Sequence, residues 1–63
     1  MPVVKVREAI RQVVAAGWVF TNQRGSHRQY THPHRPGRVT IPGKESADLP
    51  PGTWASIKRQ AGI

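Results

Sequence analysis

The sequence contains no cysteine, and acidic residues are scarce in it. Without cysteine the chain can form no disulfide and supplies no thiolate ligand for a structural zinc site. Its three acidic residues, Glu8, Glu45 and Asp48, are scattered along the chain, so no carboxylate cluster is present for a two-metal nuclease. No apolar run approaches the roughly 20 residues of a membrane span, and charges follow the N-terminus too closely for a signal peptide. We therefore expect a cytoplasmic chain that does not bind membranes.

Basic residues, by contrast, are abundant. Ten Lys and Arg residues stand against three acidic ones, which gives a net charge of +7 at pH 7. Seven of the ten are Arg, whose planar guanidinium can bind a phosphate through two donors at once. An excess of this size on so short a chain predicts a nucleic acid or an acidic protein as the partner. The alternative is a highly charged surface that only keeps the chain in solution.

The length of 63 residues predicts one small domain, residues 1–63, with a helix at each end. Apolar residues recur at the spacing of one helix face in VKVREAIRQVVAAG, and Gly17 is the expected end of that helix. A second helix is predicted in PGTWASIKRQAGI, where Pro51 suits the first turn and Gly62 the end.

Three strands are predicted between the helices, in WVFTN, SHRQYTH and RVTIP. Asn22-Gln23-Arg24-Gly25 is the predicted hairpin connection between the first two strands, with Gly25 suited to a positive φ. PHRPG predicts a turn before the third strand, and GKESADLPPG predicts a loop. The order α-β-β-β-α defines an α+β fold, a three-stranded antiparallel sheet with two helices on one face. The predicted core consists of Val6, Ile10, Val13, Val14, Trp18, Phe20, Tyr30, Val39, Ile41, Leu49, Trp54 and Ile57.

Alternation along the second strand separates its side chains into two sets. Tyr30 is its only large apolar residue and must face the core, which places Arg28 and His32 on the same, covered face. His27 and Gln29 then lie on the opposite face, which no helix covers.

The three histidines, His27, His32 and His34, invite comparison with a metal site. Such sites usually include Cys or carboxylate ligands, and none stands near them in the sequence. The cations in HPHRPGR would also repel a metal ion. We therefore expect no metal and no cofactor, and interpret His34 as an exposed turn residue.

Acid–base chemistry is the stronger hypothesis for His27, since histidine exchanges protons near neutral pH. RNA carries its own nucleophile, the 2′-hydroxyl, so a histidine and cations that stabilise a phosphorane suffice in outline. The residues predicted to contact RNA around His27 are Arg24, Ser26, Arg28, Gln29, Arg38 and Lys44. The residues alone leave two interpretations open, a catalytic His27 and a merely polar strand residue.

Three segments together, GSHRQYTHP, RVTIP and DLPPGTWASIKRQAGI, resemble the HicA family of toxins from bacterial toxin–antitoxin pairs. The resemblance extends over nearly the whole chain and depends on the order and spacing of these motifs. It implies a double-stranded-RNA-binding-like fold and an endoribonuclease that cleaves mRNA and arrests translation. It also implies that His27, in the Gly-Ser-His motif, is essential, and that a HicB-type antitoxin covers the active surface. Many relatives carry a second histidine at the place of Lys44, which we interpret here as a phosphate-binding residue.

Two alternatives belong to other functional classes. A non-catalytic RNA-binding module would share the fold and the charge, and its His27 would only donate hydrogen bonds to RNA. A purely protein-directed element would use its basic face for an acidic partner. RNA cleavage distinguishes the nuclease from the RNA-binding module. RNA binding at low salt distinguishes both of them from the protein-directed element.

Overall fold

A computed structural model describes residues 3–63 of the chain, so the first two residues of the predicted domain lie outside it. Its elements are β1 (Val4–Lys5), α1 (Val6–Ala15), β2 (Val19–Arg24), β3 (His27–His32), β4 (Arg35–Ile41), β5 (Asp48–Leu49) and α2 (Pro51–Ala61). The predicted order of a helix, three antiparallel strands and a helix is confirmed. None of the helices within residues 3–63 combines the length and apolar character that crossing a membrane requires.

The end of α1 and both ends of α2 lie where local chemistry predicts. Gly17, just beyond α1, has a φ of 98° that other residues rarely adopt, and its backbone N–H bonds to the Val14 carbonyl oxygen at 3.0 Å. Pro51 is the first residue of α2, where a backbone N–H would have no partner within the helix. Gly62 ends α2 in the left-handed conformation, with a φ of 73°.

The sheet has the strand order β2-β3-β4, and its connections differ in part from the prediction. Gly25 does form the β2–β3 hairpin turn, with a φ of 58°. The predicted connection was wrong for Gln23 and Arg24, because β2 continues to Arg24 and both residues pair with β3. The segment PHRPG is only partly a turn, because β4 already begins at Arg35. Pro36 and Gly37 lie within β4 at an irregularity of its pairing with β3; β4 is at the edge of the sheet, where a proline is tolerated.

The predicted loop GKESADLPPG contains a short strand that sequence periodicity did not indicate. In this segment β5 pairs antiparallel with β1, so that Val4 lies opposite Leu49 and Lys5 opposite Asp48. The backbone N–H of Val6 also donates to the Ala47 carbonyl oxygen, at 2.9 Å. This pairing attaches the segment to the start of α1.

The core lies between the two helices and the covered face of the sheet. The predicted core list was wrong for Val14 and Phe20, which are each 50 % exposed. Phe20 lies on β2, the edge strand farther from the helices, which pack chiefly against β4. Ala9 and Ala61 are fully buried as well. Ile10 and Trp54 are only partly buried. The buried residues are Val6, Ala9, Val13, Trp18, Tyr30, Val39, Ile41, Leu49, Ile57 and Ala61.

Candidate functional site

The face of the sheet opposite the helices carries the candidate site, which begins with His27. His27 is the first residue of β3 and is exposed. Its direct neighbour across the antiparallel pair is Arg24, the last residue of β2. Directly opposed residues of antiparallel strands place their side chains on the same face. The sheet therefore puts the side chains of Arg24 and His27 at neighbouring positions on the same face.

A β-bulge in β2 is what puts Arg24 on this face. Phe20 pairs with Tyr30 and Asn22 with Gln29, so Thr21 is an extra residue. If side chains alternated strictly from Phe20 onwards, Arg24 would lie on the covered face together with Phe20. The extra residue reverses the alternation, so Arg24 lies on the open face. The Thr21 hydroxyl lies 2.9 Å from the Thr31 hydroxyl, a hydrogen bond that holds the bulge against β3.

Arg38 and Gln29 form a second polar pair on the same face. The Nη1 group of Arg38 donates to Oε1 of Gln29 at 2.7 Å. Gln29 pairs directly with Thr40 across the β3–β4 ladder, so Arg38 is its diagonal neighbour. The hydrogen bond orients the guanidinium and leaves its other N–H groups available to a ligand.

Arg28 lies on the covered face, on the other side of the sheet from His27. Its Nη1 donates to the carbonyl oxygen of Gly43 at 3.1 Å, and its Nη2 lies 3.8 Å from a carboxylate oxygen of Glu45. The side chain is 18 % exposed. The structure thus separates Arg28 from the other predicted RNA contacts and directs it to the segment Gly43–Ala47, which we name the Lys44 loop.

The Lys44 loop lies at the same end of the sheet as His27. Arg28 pairs with Ile41, so the antiparallel register runs from His27 towards Pro42 and the loop that follows. Lys44 is exposed, and its carbonyl oxygen accepts a hydrogen bond of 2.9 Å from the Ala47 N–H. Backbone contacts therefore define the loop, and the Lys44 ammonium faces solvent.

The hairpin next to His27 is open to a ligand. Ser26 is exposed, and a Cβ built on Gly25 would meet no heavy atom within 4 Å. This open space would let the backbone of a bound chain approach the hairpin closely.

The other two histidines are separate from His27. His32 packs edge-on against Trp18, with ring centroids 5.2 Å apart, and its Nδ1 accepts the backbone N–H of His34 at 3.0 Å. Its Nε2 lies 3.3 Å from the Ala16 carbonyl oxygen and donates to it as the neutral tautomer. His32 is therefore a structural residue. Within residues 3–63, no three His, Asp or Glu side chains are grouped as metal ligands would be.

Comparison with protein families identifies the chain. A family model described as the HicA toxin of bacterial toxin–antitoxin matches residues 6–63. The chain belongs to the HicA toxin family. A search of curated protein sequences found no match. The α+β architecture that the resemblance implied is the one the structure has.

The positive charge of this HicA-family toxin is concentrated on a subset of its cations. Each of its three acidic residues lies within 4 Å of a basic group, in the pairs Lys5–Asp48, Arg11–Glu8 and Arg28–Glu45. Hydrogen bonds from Arg11 and Gln12 lower the pKa of the Glu8 carboxyl. With three of the ten cations paired, seven remain to carry the net charge of +7. These are Arg7, Arg24, Arg35, Arg38, Lys44, Lys58 and Arg59.

Arg35 and Lys58 have partners of other kinds within the fold. Arg35 donates from Nη1 to the Ala61 carbonyl oxygen at 3.0 Å, and Trp18 donates its indole N–H to the same oxygen at 3.2 Å. A cation at a helix C-terminus is favourable there. Lys58 lies over the Trp54 ring, 5.5 Å from its centroid. Arg24 and Arg38, in contrast, present uncompensated charge on the face of His27.

Proposed function

We propose that this toxin is an endoribonuclease that cleaves mRNA in the cytoplasm and thereby arrests translation, with His27 as the acid–base residue. The position of His27 carries the proposal. It lies on the open face beside Arg24, and within residues 3–63 no group forms a hydrogen bond with its ring. Both ring nitrogens are therefore available to a substrate. Membership of a toxin family supplies the biological context for an activity that harms the cell.

The chemistry requires one proton acceptor and several cations. Neutral His27 accepts the proton of a 2′-hydroxyl as its oxygen attacks the adjacent phosphorus. The bond to the 5′ oxygen breaks, which leaves a 2′,3′-cyclic phosphate on one product. Water protonates the departing 5′ oxygen, and His27 returns its proton to the resulting hydroxide. This scheme uses no metal ion and no covalent enzyme intermediate.

The charge that develops on the phosphorane must be stabilised where it forms. Arg24 and Arg38 are the cations on the His27 face, and Lys44 extends them at the end of the sheet. Ser26 and Gln29 provide neutral hydrogen bonds to the RNA backbone. Arg28 acts through the Lys44 loop, because its guanidinium already binds Gly43.

The test compares wild type, His27→Ala and His34→Ala on a labelled RNA, with EDTA present throughout. We expect wild type and His34→Ala to cleave and His27→Ala to lose cleavage. His34→Ala is the matched control, since His34 is also exposed but lies in the turn after β3. An active His27→Ala protein with a normal unfolding curve would refute the role of His27.

A non-catalytic RNA-binding module is the second candidate, and one observation favours it. Catalytic bases are commonly oriented by a third group, whereas no side chain within the described residues orients the His27 ring. Binding by both wild type and His27→Ala, without product, would establish this alternative. The affinity should then fall as the salt concentration rises.

We further propose a HicB-type antitoxin as the partner, with an acidic surface that covers the open face. Uncompensated Arg24 and Arg38 on that face favour a partner of opposite charge. Reversing one of these charges, Arg24→Glu, should weaken the complex far more than Arg59→Glu on α2, which changes the net charge by the same amount. Equal weakening by both changes would show that only the total charge matters.

A further inference from the structure

The geometry points to an RNA-binding surface that continues around the end of the sheet to Arg7 on α1, which makes Arg7 a phosphate-binding residue. This inference rests on the proposed RNA-directed function. It extends the site from the open face, over the Lys44 loop, to the first turn of the helix on the covered side.

Backbone contacts connect the two ends of this surface. Arg28, the neighbour of His27 in β3, donates to the Gly43 carbonyl oxygen at 3.1 Å. The backbone N–H of Arg7 donates to the Glu45 carbonyl oxygen at 3.0 Å. Lys44 stands between Gly43 and Glu45 in the sequence. The loop therefore holds Lys44 between the strand that carries His27 and the first turn of α1.

Arg7 differs from the other cations near the start of α1 in having no acidic partner among residues 3–63. Lys5 lies 2.7 Å from a carboxylate oxygen of Asp48. Arg11 donates two hydrogen bonds to Glu8, at 3.1 and 2.8 Å. Glu45, the acid next to Arg7 in the loop contact, is directed to Arg28 instead. Arg7 is exposed, so its guanidinium is available to a ligand.

A single-stranded phosphate backbone fits this arrangement better than a compact ligand does. The cations Arg38 and Arg24 lie on the open face of the sheet. Lys44 and then Arg7 follow around the end of the sheet, so these cations do not all face the same way. A flexible polyanion can bend around such an end and meet each cation in turn. The guanidinium of Arg7 can bind one phosphate through two donors.

The test measures the salt dependence of binding to a fluorescein-labelled oligouridine with methylated 2′-hydroxyls, which cannot be cleaved. Each phosphate contact to a single strand contributes about 0.7 to the slope of log K against log salt. We expect Arg7→Gln to reduce that slope by about 0.7 and Arg59→Gln to leave it unchanged. Arg59 is the matched control because it is exposed, has no acidic partner in the described chain, and lies in the last turn of α2.

The outcomes separate this inference from the proposed nuclease activity. Equal slopes for Arg7→Gln and Arg59→Gln, with both proteins unfolding like wild type, would overturn the role of Arg7. So would an unchanged RNA slope combined with a loss of antitoxin binding, since Arg7 would then serve a protein partner. A wild type that binds the oligouridine but does not cleave natural RNA would refute the nuclease alone. The salt slopes of the two variants would still show whether RNA contacts Arg7.

Discussion

Arg28 and Gly43 are joined by a hydrogen bond of 3.1 Å, which attaches the Lys44 loop to the covered face of the central strand. The residue before Arg28 is His27, and the residue after Gly43 is Lys44. One contact on the covered side of the sheet therefore positions two residues of the proposed site relative to each other. We therefore interpret Arg28 as a positioning residue of the proposed site, although its charge alone suggested an RNA contact.

Replacing Arg28 with Gln should destabilise the fold and loosen the Lys44 loop. A largely buried hydrogen bond from a charged donor contributes about 1.5 to 3 kcal/mol, and the bridge to the exposed Glu45 adds little. Arg38→Gln is the matched control, since its partner Gln29 lies on the open face, and should cost below about 0.5 kcal/mol. Urea unfolding measures the stability loss of each variant. Amide hydrogen exchange of residues 43–47 shows whether the Lys44 loop has become more mobile. Equal stability losses would contradict the positioning role.

Gly17 and Gly52 should respond to alanine in opposite directions. A Cβ on Gly17 would lie 2.7 Å from Nε2 of His32, and the φ of 98° disfavours any side chain. Strain of this kind costs about 1 to 3 kcal/mol. Gly52 lies in the first turn of α2, and a Cβ there meets nothing within 4 Å, so alanine should stabilise the protein by about 0.4 to 1 kcal/mol by restricting the unfolded chain. Denaturant midpoints for the two variants test this, and a Gly17→Ala protein as stable as wild type would be evidence against the close contact.

Tyr30 should make stability fall at alkaline pH. Burial raises the pKa of its phenol above the ordinary value of about 10, so the folded state keeps the proton to higher pH than the unfolded chain. The resulting contribution to the free energy of unfolding is complete below the pKa of the unfolded state. It is lost as the pH rises through the pKa of the folded state. Tyr30 is the only tyrosine, so phenolate absorbance reports it alone. Ionisation near pH 10 with the near-ultraviolet dichroism intact would contradict the prediction.

Much of the fold could be predicted from local pattern. The apolar periodicity of α1, Pro51 at the start of α2 and the glycines that end both helices depend on residues a few positions apart. The face of Tyr30 followed from alternation within one strand, and it is buried as predicted. Phe20 obeyed the same pattern and is nevertheless half exposed, because the helices pack chiefly against β4, at the opposite edge of the sheet.

The candidate site, like the fold, could be predicted only in part from the sequence. The sequence by itself determined the net charge, the exposed position of His27 at the start of a strand, and the helix–strand order. Only the tertiary structure decided that the Thr21 bulge turns Arg24 towards His27, that Arg28 binds Gly43, and that the Lys44 loop meets α1. The physical reason is that strand register and loop docking depend on contacts between segments distant in the chain, which the periodicity of one segment does not encode.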